Sequence, residues 1–260
     1  NKWSYLYNYN NPGNMGALDG SATTGYYSGS ALNGISIGHN TKIQEDSDPT
    51  YYSGVAIGDY AQATGGLSFS IGNYAQSTKP SAMALGTASL SSGFNSLAMM
   101  RQAAATGNFS TAIGTTSWAS GTGSFAMGYS AQAKGDQSIA IGAAEPITVA
   151  GSGNEPSASY NGATNTVTEG ARSLAFGTKA RTEAAASDSM AFGSNAKTKA
   201  ANAVAMGNSS RATATDAFAF GNTAYATGAN AIAMGRTAQA RQLNAIALGG
   251  QAKALEANAL

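Results

Sequence analysis

The 260-residue chain predicts an all-β fold, a parallel β-roll or β-solenoid wound in coils of 14 residues. Three observations predict it. A quartet of apolar, small, apolar and Gly recurs, first as Ile35-Ser36-Ile37-Gly38 and Val55-Ala56-Ile57-Gly58, then with glycines 14 residues apart at Gly58, Gly72 and Gly86. Each quartet leads into a second short alternation, such as Ala61-Gln62-Ala63-Thr64-Gly65 or Ala131-Gln132-Ala133-Lys134-Gly135. Composition agrees, because 54 Ala and 33 Gly leave Leu, Ile, Val and Phe too thinly spread for one conventional core. Strict period 2 with Gly at the corners argues against helix, which needs apolar residues at three-and-four spacing.

Taken in order, residues 1–34 lack the phase and carry Trp3, Tyr5, Tyr7, Tyr9, Tyr26 and Tyr27, an aromatic-rich N-terminal cap for the open end of a solenoid that could also serve as a ligand-contacting tip. Residues 35–260 carry the repeats. The step from Gly38 to Gly58 holds an acidic loop with Glu45, Asp46 and Asp48. Leu97-Ala98-Met99-Met100 keeps the phase with Met where Gly is expected, so Met100 must strain or adopt another turn. From Gly142 to Gly177 the step is 35, and Pro146, Pro156 and Asn161-Gly162 mark an inserted loop at about 143–170. Coils then resume from Leu174-Ala175-Phe176-Gly177 to Ile246-Ala247-Leu248-Gly249, and Asn258-Ala259-Leu260 begins another.

Period 2 places the two bulky residues of each first strand on one face and the intervening small residue on the other. Size then suggests that Ile57, Ile71, Leu85, Ile113, Met127, Ile141, Phe176, Phe192, Met206, Phe220, Met234 and Leu248 fill the coil against the paired Ala of the second strand. The middle residues Ala56, Ala84, Ala112, Ala126, Ala140, Ala175, Ala191, Ala205, Ala219, Ala233 and Ala247 would form a smooth outer stripe. Such a stripe predicts close packing between copies around an axis, a cyclic homo-oligomer.

The chemistry of catalysis is sparse. With no Cys and one histidine, His39, the chain cannot build a His/Cys metal cluster, and His39 beside a turn Gly reads as a polar corner. Gly121-Thr122-Gly123 and Gly151-Ser152-Gly153 do not lead from strand to helix, so no nucleotide loop is read, and no cofactor is expected. Fourteen Lys+Arg against 13 Asp+Glu leave no polybasic arm for nucleic acid. Charge is nevertheless segregated: residues 1–170 hold 5 Lys+Arg and 9 Asp+Glu, whereas residues 171–260 hold 9 and 4. The outward position of the second strand reads Gln62, Gln76, Leu90, Ala104, Trp118 and Gln132, then Arg181, Lys197, Arg211, Tyr225, Gln239 and Lys253. Arg181, Lys197, Arg211, Trp118 and Tyr225 are therefore the candidate ligand-binding residues, suited to an acidic glycoprotein or a sulfated glycan.

The recurring Ser138-Ile139-Ala140-Ile141-Gly142 and Asn244-Ala245-Ile246-Ala247-Leu248-Gly249, each followed by an Ala-x-Ala alternation, resemble the YadA-like head of trimeric autotransporter adhesins across about residues 35–260. The aromatic start and the Met/Phe-rich coils are most similar to the ubiquitous surface protein A type. The resemblance implies a left-handed parallel β-roll and a parallel homotrimer on the bacterial outer surface. It further implies attachment to host extracellular-matrix proteins of the fibronectin, laminin or collagen class. Its stalk and outer-membrane anchor have no counterpart in this sequence, and the family supplies no catalytic residues. Two other roles remain open from sequence: a passive spacer that displays other domains, and a solenoid acyltransferase. The latter is disfavoured by the 14-residue coil and the single early histidine.

Overall fold

Fourteen residues complete one coil as a three-residue strand, a corner, a two-residue strand and a second corner. Phe69–Ile71 and Gln76–Ser77 are followed in this way by Met83–Leu85 and Leu90–Ser91. The computed structural model describes residues 26–28, 35–44, 54–148, 158–160 and 162–260. The aromatic residues Trp3, Tyr5, Tyr7 and Tyr9, and the acidic loop with Glu45, Asp46 and Asp48, lie outside the described residues.

Two units are distinguished, Asn1–Ala119 and Ser120–Leu260, both built from this coil. In the first, one parallel ladder runs from Ile35–Ile37 to Thr111–Ile113, and a second runs from Tyr26–Ser28 through Lys42–Gln44 to Trp118–Ala119. In the second, the ladders run from Phe125–Met127 to Ile246–Leu248 and from Gln132–Ala133 to Lys253–Ala254. Equivalent residues stack: Ala98 pairs with Ala84 on one side and Ala112 on the other. The ladder of the first unit includes Tyr26–Ser28, three residues of the segment expected to cap it.

The face assignment of the first strand is reversed from the sequence expectation. Ala56, Ala84, Ala112, Ala126, Ala140, Ala175, Ala191, Ala205, Ala219 and Ala233 are 0% exposed, and Ala247 is 2% exposed, within a single chain. They line the inside of the coil with the paired residues of the second strand, such as Ala61 and Ala63, and are not an outer stripe. The bulky residues are outside: Ile71, Met127, Phe176, Phe192, Phe220, Met234 and Leu248 are exposed, while Ile57, Leu85, Ile113, Ile141 and Met206 are half-buried.

The physical reason is the width of the coil. Two strands joined by short corners lie too close for large side chains between them, and the largest fully buried side chains are Thr and Ser. Ile43, 4% exposed, is accommodated where its neighbour is Gly54: a Cβ built there would sit 3.3 Å from Ile43 Cγ2. Most polar occupants of this interior pair with one another or bond to the backbone; Ser68, Ser110 and Ser124 are exceptions among the described residues. Ser173 Oγ meets Thr182 Oγ1 at 2.7 Å, and Ser189 Oγ meets Thr198 Oγ1 at 2.9 Å. Such pairing is required of hydroxyls that cannot reach water.

Backbone crowding fixes the corners. A Cβ on Gly58 would stand 2.6 Å from the carbonyl carbon of Gly72 in the next coil, and Gly58 has φ of 122°, a region closed to most side chains. Met100 occupies the same corner position at φ 91° and stays in phase, its N–H donating to the Leu85 carbonyl at 2.7 Å. Within the insertion, Pro146–Thr148 pairs antiparallel with Ala158–Tyr160, and a 3-10 turn follows at Gly162–Thr164. The parallel ladder resumes at Val167–Thr168, between Gln132–Ala133 and Arg181–Thr182. Residues 149–157 of the insertion lie outside the described residues.

Candidate interaction surfaces

Reversal of the first strand creates an apolar outer face in each unit. In the first it carries Phe69 and Ile71, 39% and 41% exposed, flanked by half-buried Met83 and Leu85. In the second it carries Ile139, Phe176, Phe192, Phe220, Met234 and Leu248. Equivalent positions stack in register, and the Phe176 and Phe192 rings lie parallel with centroids 4.9 Å apart. Contiguous apolar area of this kind on a single chain marks an association surface.

The two-residue strands present the opposite chemistry. Arg181 and Arg211 are exposed on this sheet, Lys197 and Tyr225 are half-buried, and the pairing Arg181–Lys197–Arg211–Tyr225 is continuous. The cations do not stand alone. Glu169 Oε1 lies 3.0 Å from Arg181 and 3.6 Å from Lys134, while Glu183 Oε1 lies 2.5 Å from Lys197 and 3.7 Å from Lys199. Arg181 and Lys197 each have a counter-charge: a glutamate one coil earlier, two residues past the outward position, pairs with each. Arg211 instead places its guanidinium carbon 5.8 Å from the centre of the Tyr225 ring, a cation–π contact. In the first unit Trp118 is 41% exposed, and its indole N–H donates to Thr106 Oγ1 at 3.3 Å.

Electrostatics follow from these contacts. Partial burial is the largest single influence on the Glu183 carboxyl and pushes its pKa up. The hydrogen bond from Lys197 and the charges of Lys197, Lys199 and Arg181 together outweigh it and hold the group below the ordinary glutamate value. On a corner of the second unit, Arg172 grips Asp188 with two hydrogen bonds of 2.6 and 2.7 Å, which hold Asp188 below its ordinary value.

His39 sits at a corner, edge-on to Tyr60, with the Asn40 amide 3.2 Å from its Nδ1. Among the described residues no group of three or more His, Asp or Glu is placed to hold a metal ion. No described helix is long and apolar enough to cross a membrane. Sequence reasoning missed the acidic partners Glu169 and Glu183, although Arg181-Thr182-Glu183 already places opposite charges on one strand face.

An Ala-lined coil stack with one apolar and one polar outer sheet defines a parallel β-solenoid. The YadA head domain repeat matches residues 91–117, 105–130, 119–144, 184–210, 212–238, 226–252 and 240–260, half of the chain, and the chain belongs to the YadA head family. That family places it with the heads of trimeric autotransporter adhesins, proteins of the bacterial outer surface. No curated protein matches the chain.

Proposed function

We propose that the chain is the head of a homotrimeric surface adhesin that attaches a Gram-negative bacterium to host extracellular-matrix glycoproteins of the fibronectin, laminin or collagen class. The apolar outer sheet carries this reading. Among the described residues its large side chains stand exposed or half-buried, and parallel copies packed around an axis would cover them while leaving the polar sheet free. In the trimer the contact residues are the bulky pairs, among them Ile139, Phe176, Phe192 and Phe220, rather than the alanines between them. The polar sheet then repeats three times around the axis, so weak contacts at Arg211, Tyr225 and Trp118 gain from multivalency. Acidic protein segments or sulfated glycans of matrix glycoproteins fit the cations of this sheet, with Glu169 and Glu183 setting their spacing.

The test combines assembly with binding. Analytical ultracentrifugation of the protein should give three times the chain mass, and the trimer should bind immobilised matrix proteins. Changing Arg181, Lys197 and Arg211 together to Gln should preserve the trimer, weaken matrix binding and reduce its salt sensitivity. A correctly assembled trimer that binds none of these matrix proteins would instead indicate a spacer that displays other domains.

A further inference from the structure

Along one corner of the first unit, residues of successive coils form a column with a common backbone conformation. Asn40, Tyr60, Tyr74, Ala88 and Gln102 have φ of 52°, 58°, 59°, 54° and 56°. The N–H groups of Tyr74, Ala88 and Gln102 bond to the carbonyls of Asp59, Asn73 and Thr87 in the preceding coils, at 2.8, 2.8 and 2.9 Å. Their Cα–Cβ bonds therefore leave the corner in the same direction, one coil apart.

Aromatic rings fill the start of this column. His39 meets Tyr60 edge-on with centroids 5.3 Å apart, and the Tyr60 and Tyr74 rings are parallel within 2° at 4.9 Å. The ladder stops at Ala88. Tyr60 has a ring on each side, whereas the column position after Tyr74, itself 54% exposed, is Ala88, whose side chain is only a methyl group. The next column residue with a long side chain is Gln102, two coil spacings away, on the order of 9–10 Å. That interval is wide enough for one six-membered ring.

The rim is polar. Thr87, Arg101 and Gln102 are exposed, and Arg101 has no ion-pair partner among the described residues. The coil that closes the slot is also the one in which Met100 stands at φ 91° at the corner position where Gly86 and Gly114 stand in the neighbouring coils. A non-Gly residue held in so sparsely populated a conformation points toward function.

We propose that the corner at Ala88 is a binding slot for a pyranose bearing a carboxylate. The sugar's C–H face stacks on the open face of Tyr74, its hydroxyls bond to Thr87 and Gln102, and its carboxylate pairs with Arg101. A saturated ring with polar edges suits an aromatic wall inside a hydrogen-bonding rim, and the free guanidinium selects the charged member of the class. This site lies within the first unit and does not depend on trimer assembly or on matrix-protein binding.

Saturation-transfer NMR on the full chain tests it, with glucuronic acid, N-acetylneuraminic acid, glucose and N-acetyltyrosinamide as probes. At least one of the two acids should bind, and the comparison between them separates a uronic from a sialic source. Ala88→Tyr adds the missing ring at a backbone conformation that Tyr60 and Tyr74 already tolerate. It should keep the unfolding midpoint and weaken acid binding at least tenfold, as should Tyr74→Ala. Arg101→Gln should abolish the preference for acid over glucose. Undiminished binding by Ala88→Tyr, equal binding of glucose and the acids to the unmodified chain, binding of N-acetyltyrosinamide alone, or no binding of either acid would overturn the proposal.

Discussion

Ser138 Oγ and Thr168 Oγ1 lie 2.8 Å apart inside one coil although 30 residues of chain, including the hairpin, separate them. Ser138 also donates to the Gly135 carbonyl at 2.7 Å, so its hydroxyl leaves Thr168 a partner that water cannot replace. Ser138→Ala should therefore cost about 1–3 kcal/mol, the penalty for stranding a buried hydroxyl. Among the described residues Ser124 has no partner for its buried Oγ, and Ser124→Ala should be neutral or stabilising. Urea unfolding of the two variants checks the contrast; equal losses would refute it.

The two faces of the first strand should respond to opposite substitutions. Ala140→Leu forces a large side chain into an interior whose largest fully buried side chains are Thr, with no glycine like Gly54 opposite to make room, and should destabilise by about 1–3 kcal/mol or more. Phe176→Glu with Phe192→Glu should leave the coil intact by circular dichroism but convert the oligomer to monomer in ultracentrifugation. A double variant that remains fully assembled would remove this sheet from the interface.

At Met100, relief of an unfavourable backbone conformation competes with the entropy of glycine. Strain of about 1–3 kcal/mol exceeds the roughly 0.5–1 kcal/mol that Gly loses on folding. Met100→Gly should raise the urea midpoint by about 1 kcal/mol equivalent with an unchanged slope. A lower midpoint would mean that the half-exposed Met side chain contributes packing.

Acid should loosen the polar sheet through Glu183. Its folded pKa lies below the unfolded value, so the stabilisation is fully present above the unfolded pKa and is lost as pH falls through the folded one. Once it is protonated, Lys197 and Lys199 repel without that counter-charge, while Arg181 keeps Glu169. Glu183→Gln should lower stability at neutral pH and flatten the decline between about pH 5 and pH 3. Parallel stability profiles for the variant and the parent would contradict this.

Much of the fold was legible from the glycine phase, which marked the three-residue strands from Ile35–Ile37 to Ile246–Leu248. Period 2 told which residues share a face, but not which face is inside. Size decides that in an ordinary globule, where Phe176 would be core and Ala175 surface; in a coil this narrow, backbone separation decides it instead. A signal was available in the positions just before each first strand, where Ser68, Ala82, Ser96, Ser110 and Ser124 are uniformly small and share a face with the middle alanine. The left-handed corner conformation of Tyr60, Tyr74 and Phe109 was not legible, because bulky side chains are poor indicators of positive φ. Aromatic stacking at the Tyr60–Tyr74 corner was hidden for the same reason: the rings are 14 residues apart and meet only when coils stack.

Because each strand pairs with its own equivalent in the next coil, as Leu97 does with Met83 and Thr111, the ladder contains no residue that recognises a unique partner. Removal of residues 83–96 would bring Leu97 against Phe69 in the register now held by Met83, and duplication would do the converse. Recombination between repeats can thus shorten or lengthen the head by whole coils without leaving an unpaired strand. Reach from the cell surface becomes a heritable variable, adjustable in steps of one coil.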